Sequence, residues 1–210
     1  MDESYYNVLT KEKNQQGKGI RKGYIWAVLG NNTKLVQYFY ENGSRSREVL
    51  TNYISKQYKG AIQSDGLTNY KILETDIYRD VIRLGCFQHC KRKFMDIEGD
   101  EDAKEIVDII NTIYRKEHET GKDWKPDKIL KYRQQYAPPI FEKLKSKLLS
   151  IQSDPGTLPR SPLAMAVNYT LVEYDALCNY ILRHDYNPDN NAIERQQRYI
   201  SLSRRNSLFC

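Results

Sequence analysis

Three acidic residues stand where their position gives them chemical potential: Asp2, Asp65 and Glu194. Asp2 precedes or begins the first strand of the chain. Asp65 follows a short strand over 60–64, at the kind of carboxyl-terminal strand end where αβ sheets present ligands. Glu194 falls in the first turn of a late helix, where the helix dipole tolerates negative charge. If the first and fourth strands lie side by side, Asp2 and Asp65 meet and Glu194 arrives from the helix. Converging carboxylates repel one another unless divalent cations neutralise them, and hard oxygen ligands with open positions suit Mg²⁺ or Mn²⁺. Two such ions can activate a water or a 3′-hydroxyl and stabilise the leaving oxygen of a phosphodiester. Taken singly, each residue has a plainer reading. An Asp-Gly after a strand is commonly a turn, and a Glu near a helix start commonly serves the dipole.

The elements that must position these side chains read as follows. Tyr5 to Leu9 alternates loosely, as a strand does. Gly23 to Gly30 is an apolar run between glycines, and Leu35 to Tyr40 follows the Asn31-Asn32 turn; the three form an antiparallel meander. Helical spacing over 44–58 places Val49, Leu50, Tyr53 and Ile54 on one face. The strand over 60–64, a helix near 70–75 and a strand over 81–86 complete an order of strand, strand, strand, helix, strand, helix, strand. The Asn187-Pro188-Asp189-Asn190-Asn191 run marks a turn and supplies an N-cap for a helix from Ala192 to about Ile200.

Between about Lys91 and Leu182 the strand signals stop. Apolar residues recur at helical spacing from Ile106 to Tyr114, from Ile140 to Leu148 after Pro138-Pro139, and from Leu163 to Leu177. This stretch is expected to be a helical insertion. Trp26 is a core residue. Trp124, beside Lys122, Asp123 and Lys125, offers a ring for an unpaired base, although ordinary packing explains it as well.

Composition sets the outer limits. With 40% apolar and 29% charged residues in 210, the chain is a globular protein rather than a disordered one. Its 17 tyrosines supply apolar bulk with a polar tip. A net charge of +6 fits a polyanionic partner, or simply a solvated basic surface. The cysteines, Cys86, Cys90, Cys178 and Cys210, show no framework spacing and follow no signal peptide, so a reducing compartment is expected. No apolar run is long enough to span a membrane. The abrupt Met1-Asp2-Glu3 start is that expected of a fragment. Cys86 and His89, with Cys90 adjacent, form half of a zinc-like pair, but no second pair follows at ligand spacing: Cys178 and His184 lie far off and His118 stands alone.

Four blocks in order carry a resemblance: Asp2-Glu3-Ser4, Gln63-Ser64-Asp65-Gly66, Cys86-Phe87-Gln88-His89-Cys90-Lys91-Arg92-Lys93-Phe94, and Asp189-Asn190-Asn191-Ala192-Ile193-Glu194-Arg195. They resemble the signature blocks of the insertion sequence sixty-six transposase family, and Ser203 to Phe209 resembles the segment that follows that family's catalytic glutamate. The chain departs in having Ser4 for Thr, Phe87-Gln88 for Trp-Ala, and Cys90 for Arg, changes of packing more than of chemistry.

The resemblance implies the catalytic core of a DDE transposase. Its fold would be α/β and RNase H-like: a five-stranded mixed sheet flanked by helices, formed by 1–90 and 183–210, with a large all-helical insertion over 91–182 before the last core helix. It implies Asp2, Asp65 and Glu194 as catalytic ligands of two Mg²⁺ ions, with Mn²⁺ as substitute. It also implies cleavage and strand transfer of DNA at transposon ends. Cys86 and His89 would shape the active site. Lys91, Arg92 and Lys93, at the exit of a strand, with Arg195, Arg198, Arg204 and Arg205, would hold phosphates without reading sequence. The implied partners are transposon-end and target DNA and at least a second copy of the chain, with no membrane. The implied location is the bacterial cytoplasm, at the nucleoid. The family recognises transposon ends through an N-terminal region, which the resemblance leads one to expect outside a chain that starts at Met1-Asp2-Glu3. Two other readings stay open: another RNase H-like nuclease, and a degenerate transposase kept as a DNA-binding or interaction module.

Overall fold

The computed structural model describes residues 1–10, 19–121 and 123–206, with side chains through residue 202. Two compact units divide it. The first comprises Met1–Val81 and Asn190–Cys210, and the second Ile82–Asp189. Residues 82–90 and 183–189, grouped with the sheet from sequence, thus belong to the second unit.

In the first unit, β1 (Asp2–Leu9), β2 (Ile20–Leu29) and β3 (Val36–Phe39) form the expected antiparallel meander. Asp2 pairs with Ala27 and Glu3 with Trp26, while Trp26 pairs with Phe39. Opposed residues share a face, so Glu3, Trp26 and Phe39 point one way and Asp2 and Ala27 the other. The Glu3 face packs inward. Trp26 stacks on Phe39 and meets the Tyr70 ring edge-on, beside Val49 and Leu50 of α1 (Arg47–Tyr53). The opposite face is covered by α6 (Asn191–Asn206): Tyr38 Oη donates to the Gln196 carbonyl at 3.0 Å.

The strands do not make one five-stranded sheet. β4 (Gly60–Gln63) and β5 (Val81–Leu84) form a separate two-stranded sheet. The Met1 nitrogen donates to the Gln63 carbonyl at 2.8 Å, setting the start of β1 against the end of β4. There is no ladder between them in the described residues. The helix expected near 70–75 is a 3-10 helix over Thr68–Glu74.

The second unit is helical beyond β5: α2 (Phe87–Met95), α3 (Glu101–His118), α4 (Pro126–Ser153) and α5 (Pro162–Cys178). Asp100 and Ser161 cap α3 and α5, their side chains accepting from the Ala103 and Ala164 amides. The helices share a core that includes Phe87, Phe94, Ile106, Ile110, Ile113, Phe141, Leu144 and Val167. α2 replaces the expected strand exit, so Lys91, Arg92 and Lys93 sit on a helix. α4 runs straight through Pro138 and Pro139, where a helix start was expected. Both prolines are exposed, so the carbonyls they leave unbonded can take water, while Tyr136, Ala137, Phe141 and Leu144 anchor the helix in the core. Trp124 packs edge-on against Tyr132 with the Lys128 ammonium 3.8 Å from its ring centre, the packing reading of that residue.

One buried ion pair ties β5 to α5. Arg83 Nη1 meets Glu173 Oε2 at 2.6 Å, with both side chains almost wholly excluded from solvent. Close by, the Gly85 amide donates to the Ala176 carbonyl at 2.8 Å, and a side chain at Gly85 would press on Leu177 at 3.1 Å. Removing one partner of a buried pair strands the other charge. Glu173→Gln should therefore lower the unfolding free energy by about 3 kcal/mol in urea titrations. Arg83→Met combined with Glu173→Leu should cost less than Glu173→Gln alone.

Candidate functional site

All three carboxylates predicted from sequence belong to the first unit. Asp2 opens β1 on the face turned to α6, and Asp65 lies two residues beyond the end of β4. The Met1–Gln63 hydrogen bond joins these two places. Asp65 is held in a tight turn, its Oδ1 accepting from the Leu67 amide at 3.1 Å.

Glu194 comes from α6. Asn190 precedes the helix and its carbonyl accepts from the Ile193 and Glu194 amides, so the N-cap stands one residue earlier than the helix start at Ala192 implied. Asn190 Nδ2 donates to the Met1 carbonyl at 3.2 Å, and Gln197 Nε2 donates to the Asp2 carbonyl at 3.1 Å. Residues 190, 193, 194 and 197 share one helix face, and Asn190, Ile193 and Gln197 are buried on it. Glu194 is therefore on the face that α6 docks against the Asp2 end of β1.

Glu3 is the participant that the sequence reading gave no role. Its side chain is 1% exposed although it is acidic. Arg45 grips it through Nε at 2.9 Å and Nη2 at 2.7 Å, both on Oε1, and Tyr70 Oη donates to Oε2 at 2.9 Å. Strand alternation was the available signal. Of two adjacent acids in a strand with both faces covered, each must be buried on its own side.

Like charges collect here. Burial first, then the neighbouring Glu3 and Asp65, push the Asp2 carboxyl from its ordinary value of 3.8 up to about 7. Glu3 is raised too, by burial and by Asp65, against the pull of Arg45 and Tyr70. Burial lowers the Met1 amine to about 6, opposed by Asp2, Asp65 and Glu3. Each shift reports the same condition: an acidic, half-dehydrated site short of positive charge. A cluster of hard oxygen donors under such repulsion is the donor set that a divalent cation relieves.

The remaining predicted residues are distributed as follows. Arg195 and Arg198 are exposed on α6 in the first unit. Arg204 and Arg205 lie outside the described side chains. Cys86 and His89 belong to the second unit, Cys86 buried just before α2 and His89 half-buried within it. In that unit Arg92 and Lys93 are exposed, and the Lys93 ammonium stands 4.3 Å from the Tyr169 ring centre. Among the described residues no helix is long and apolar enough to cross a membrane.

The sequence matches the family described as Transposase IS66 family over residues 1–210. A Sinorhizobium fredii (strain NBRC 101917 / NGR234) protein described as "Uncharacterized protein y4jD" is 32% identical over 181 residues, 83% of this chain and 34% of its own length. A second from the same strain, "Uncharacterized protein y4qI", is 26% identical over 206 residues, 90% of this chain and 37% of its own. The chain thus spans about a third of the length of these curated relatives. No solved structure gives a significant match.

The raised Asp2 carboxyl has a consequence for stability. Between its unfolded value near 3.8 and its folded value near 7, the folded protein binds the extra proton. Stability from this group is thus complete below about 4 and is lost as pH rises toward 7. In metal-free buffer the unfolding free energy should fall by on the order of 2 kcal/mol between about pH 4 and pH 6, after allowance for solvent screening. Asp2→Asn should flatten that slope, and a slope unchanged in the variant would contradict the assignment.

Proposed function

The chain belongs to the Transposase IS66 family, and from that premise we propose that it is the catalytic core of a DDE transposase, cutting and joining DNA with divalent metal ions. The observation that supports the reading is the gathering of Asp2 and Asp65 at the start of β1, with α6, the helix that carries Glu194, clamped to the same strand end through Asn190 and Gln197. Asp2 and Asp65 would hold the cations and Glu194 would complete the coordination of one. Mg²⁺ or Mn²⁺ bound there would supply an activated water or 3′-hydroxyl and neutralise charge on the phosphodiester under attack.

The reaction needs two displacements. Water adds to the phosphorus at a transposon end and the bridging 3′-oxygen leaves as a hydroxyl, taking a proton. That hydroxyl then attacks a phosphodiester of target DNA in line, forming one ester bond as another breaks. No covalent bond to the protein is required. The chain's own part is to hold its ligands in register. Asn190 and Gln197 clamp α6 to the Met1 and Asp2 carbonyls, and the Leu67 amide orients the Asp65 carboxylate. Asp2, whose carboxyl is raised to about 7, would release its proton on becoming a ligand. Arg195 and Arg198, exposed on the same helix as Glu194, would meet phosphates, as Lys91, Arg92 and Lys93 would from α2. Joining two transposon ends asks for at least two copies of the protein.

Calorimetric titration with Mn²⁺ should show binding to the chain with proton release near pH 6, and Asp65→Asn should abolish it. The same substitution should reduce cleavage of transposon-end DNA by roughly 10³-fold or more while DNA binding persists. Cleavage that survives Asp65→Asn would contradict the DDE reading and leave a DNA-binding module.

A further inference from the structure

Glu3 is a buried carboxylate adjoining two proposed metal ligands, and its own oxygens are already engaged. Oε1 receives both Arg45 nitrogens and Oε2 receives the Tyr70 hydroxyl. A carboxylate saturated in this way is poorly suited to be a further metal ligand, since coordination would break charge-assisted hydrogen bonds in a dry setting. What it holds in place is more informative. Arg45 lies just before α1, and Asn69 Nδ2 donates to the Arg45 carbonyl. Tyr70, fully buried, belongs to the 3-10 helix that follows the Asp65 turn, and its amide donates to the Leu67 carbonyl at 3.0 Å. The Leu67 amide in turn donates to Asp65 Oδ1. An unbroken chain of contacts therefore runs from Glu3 through Tyr70 and Leu67 to Asp65.

Strand geometry gives the other half. Asp2 and Glu3 face opposite sides of β1, so anchoring Glu3 on the inner face fixes Asp2 on the α6 face. A slip of one residue would exchange the two acids and carry Asp2 away from Asp65 and Glu194. β1 is an edge strand of the meander, laddered on one side only. The Arg45 fork and the Tyr70 hydroxyl add a side-chain constraint on its register.

We infer that Glu3 is a positioning residue: gripped by Arg45 and Tyr70, it fixes the face on which Asp2 is presented and couples it to the turn that carries Asp65. This rests on the metal-site reading above, in which Asp2 and Asp65 are ligands. Within that reading Glu3 never touches the cation or the DNA.

Charge-conserving variants test this directly. Tyr70→Phe deletes one hydroxyl, and Arg45→Lys keeps the positive charge but loses the fork. Neither changes the net charge of the site, so a purely electrostatic role for Glu3 would leave both silent. Each variant should weaken Mn²⁺ binding about five- to tenfold by calorimetry, with a melting temperature close to that of the unaltered protein. Each should also speed hydrogen exchange at the Leu67 amide, a readout that needs no metal. Glu3→Asp should weaken binding as well, because the charge remains but the reach is short. Unchanged affinity and unchanged Leu67 exchange in both Tyr70→Phe and Arg45→Lys would overturn the inference. Loss of Leu67 protection alongside Mn²⁺ binding that Asp65→Asn leaves intact would instead overturn the metal-site reading while keeping the contact chain.

Discussion

The repulsion among acidic side chains at the start of β1 is the constraint on which the first unit depends. Burial raises the affinity of Asp2 and Glu3 for protons, and like charge adds to it, from Glu3 and Asp65 at Asp2 and from Asp65 at Glu3. Left to themselves, such groups would move apart into water. They stay because each is fastened by something that is not a carboxylate. Glu3 has the Arg45 fork and Tyr70, Asp65 has the Leu67 amide, and the backbone beside Asp2 is bound by Gln197. Around them the meander, α1, the 3-10 helix after Asp65 and α6 supply apolar packing through Trp26, Leu50, Tyr70 and Ile193. In the proposed function such a site would be preorganised for cations, since the unfavourable part of assembling the ligands is met by the fold.

The second unit has a different physical logic. Its core is built from helical stripes of isoleucine, leucine and phenylalanine, and two largely buried ion pairs hold its elements together. Arg133 is the clearest case. It pairs with Glu117 and donates to the carbonyls of Arg183, His184 and Tyr186, organising the chain beyond the 3-10 helix over Asn179–Leu182. Tyr136 and Tyr180 share a hydrogen bond in the same cluster. These groups hold helices in place and carry none of the chemistry proposed for the acids of the first unit.

Much of this was legible in the residues. The meander followed from alternation and from the Asn31-Asn32 turn, α5 from the helical stripe over Leu163 to Leu177, and the placement of Asp65 from the short strand before it. Local rules failed where tertiary packing decided. Pro138-Pro139 reads as a boundary, yet the helix passes through because its buried flank outweighs two missing hydrogen bonds on a wet face. The run from Cys86 to Phe94 reads as a strand exit because the apolar residues of β5 precede it. Its helical spacing, with Phe87, Cys90 and Phe94 buried, was visible but short. The single five-stranded sheet came with the family resemblance, and β4 and β5 instead form a sheet of their own. Glu3 escaped notice because its partners, Arg45 and Tyr70, are 42 and 67 positions away, and no local pattern announces such a contact.

Convergence of Asp2, Asp65 and Glu194 on one cation site is the central claim, and paramagnetic broadening by Mn²⁺ in amide-resolved NMR tests it most directly. Substoichiometric Mn²⁺ should broaden the amides beside all three residues together, at Glu3, Gly66 and Arg195, ahead of the rest of the chain. Broadening centred elsewhere, or sparing any one of these three positions, would contradict the account.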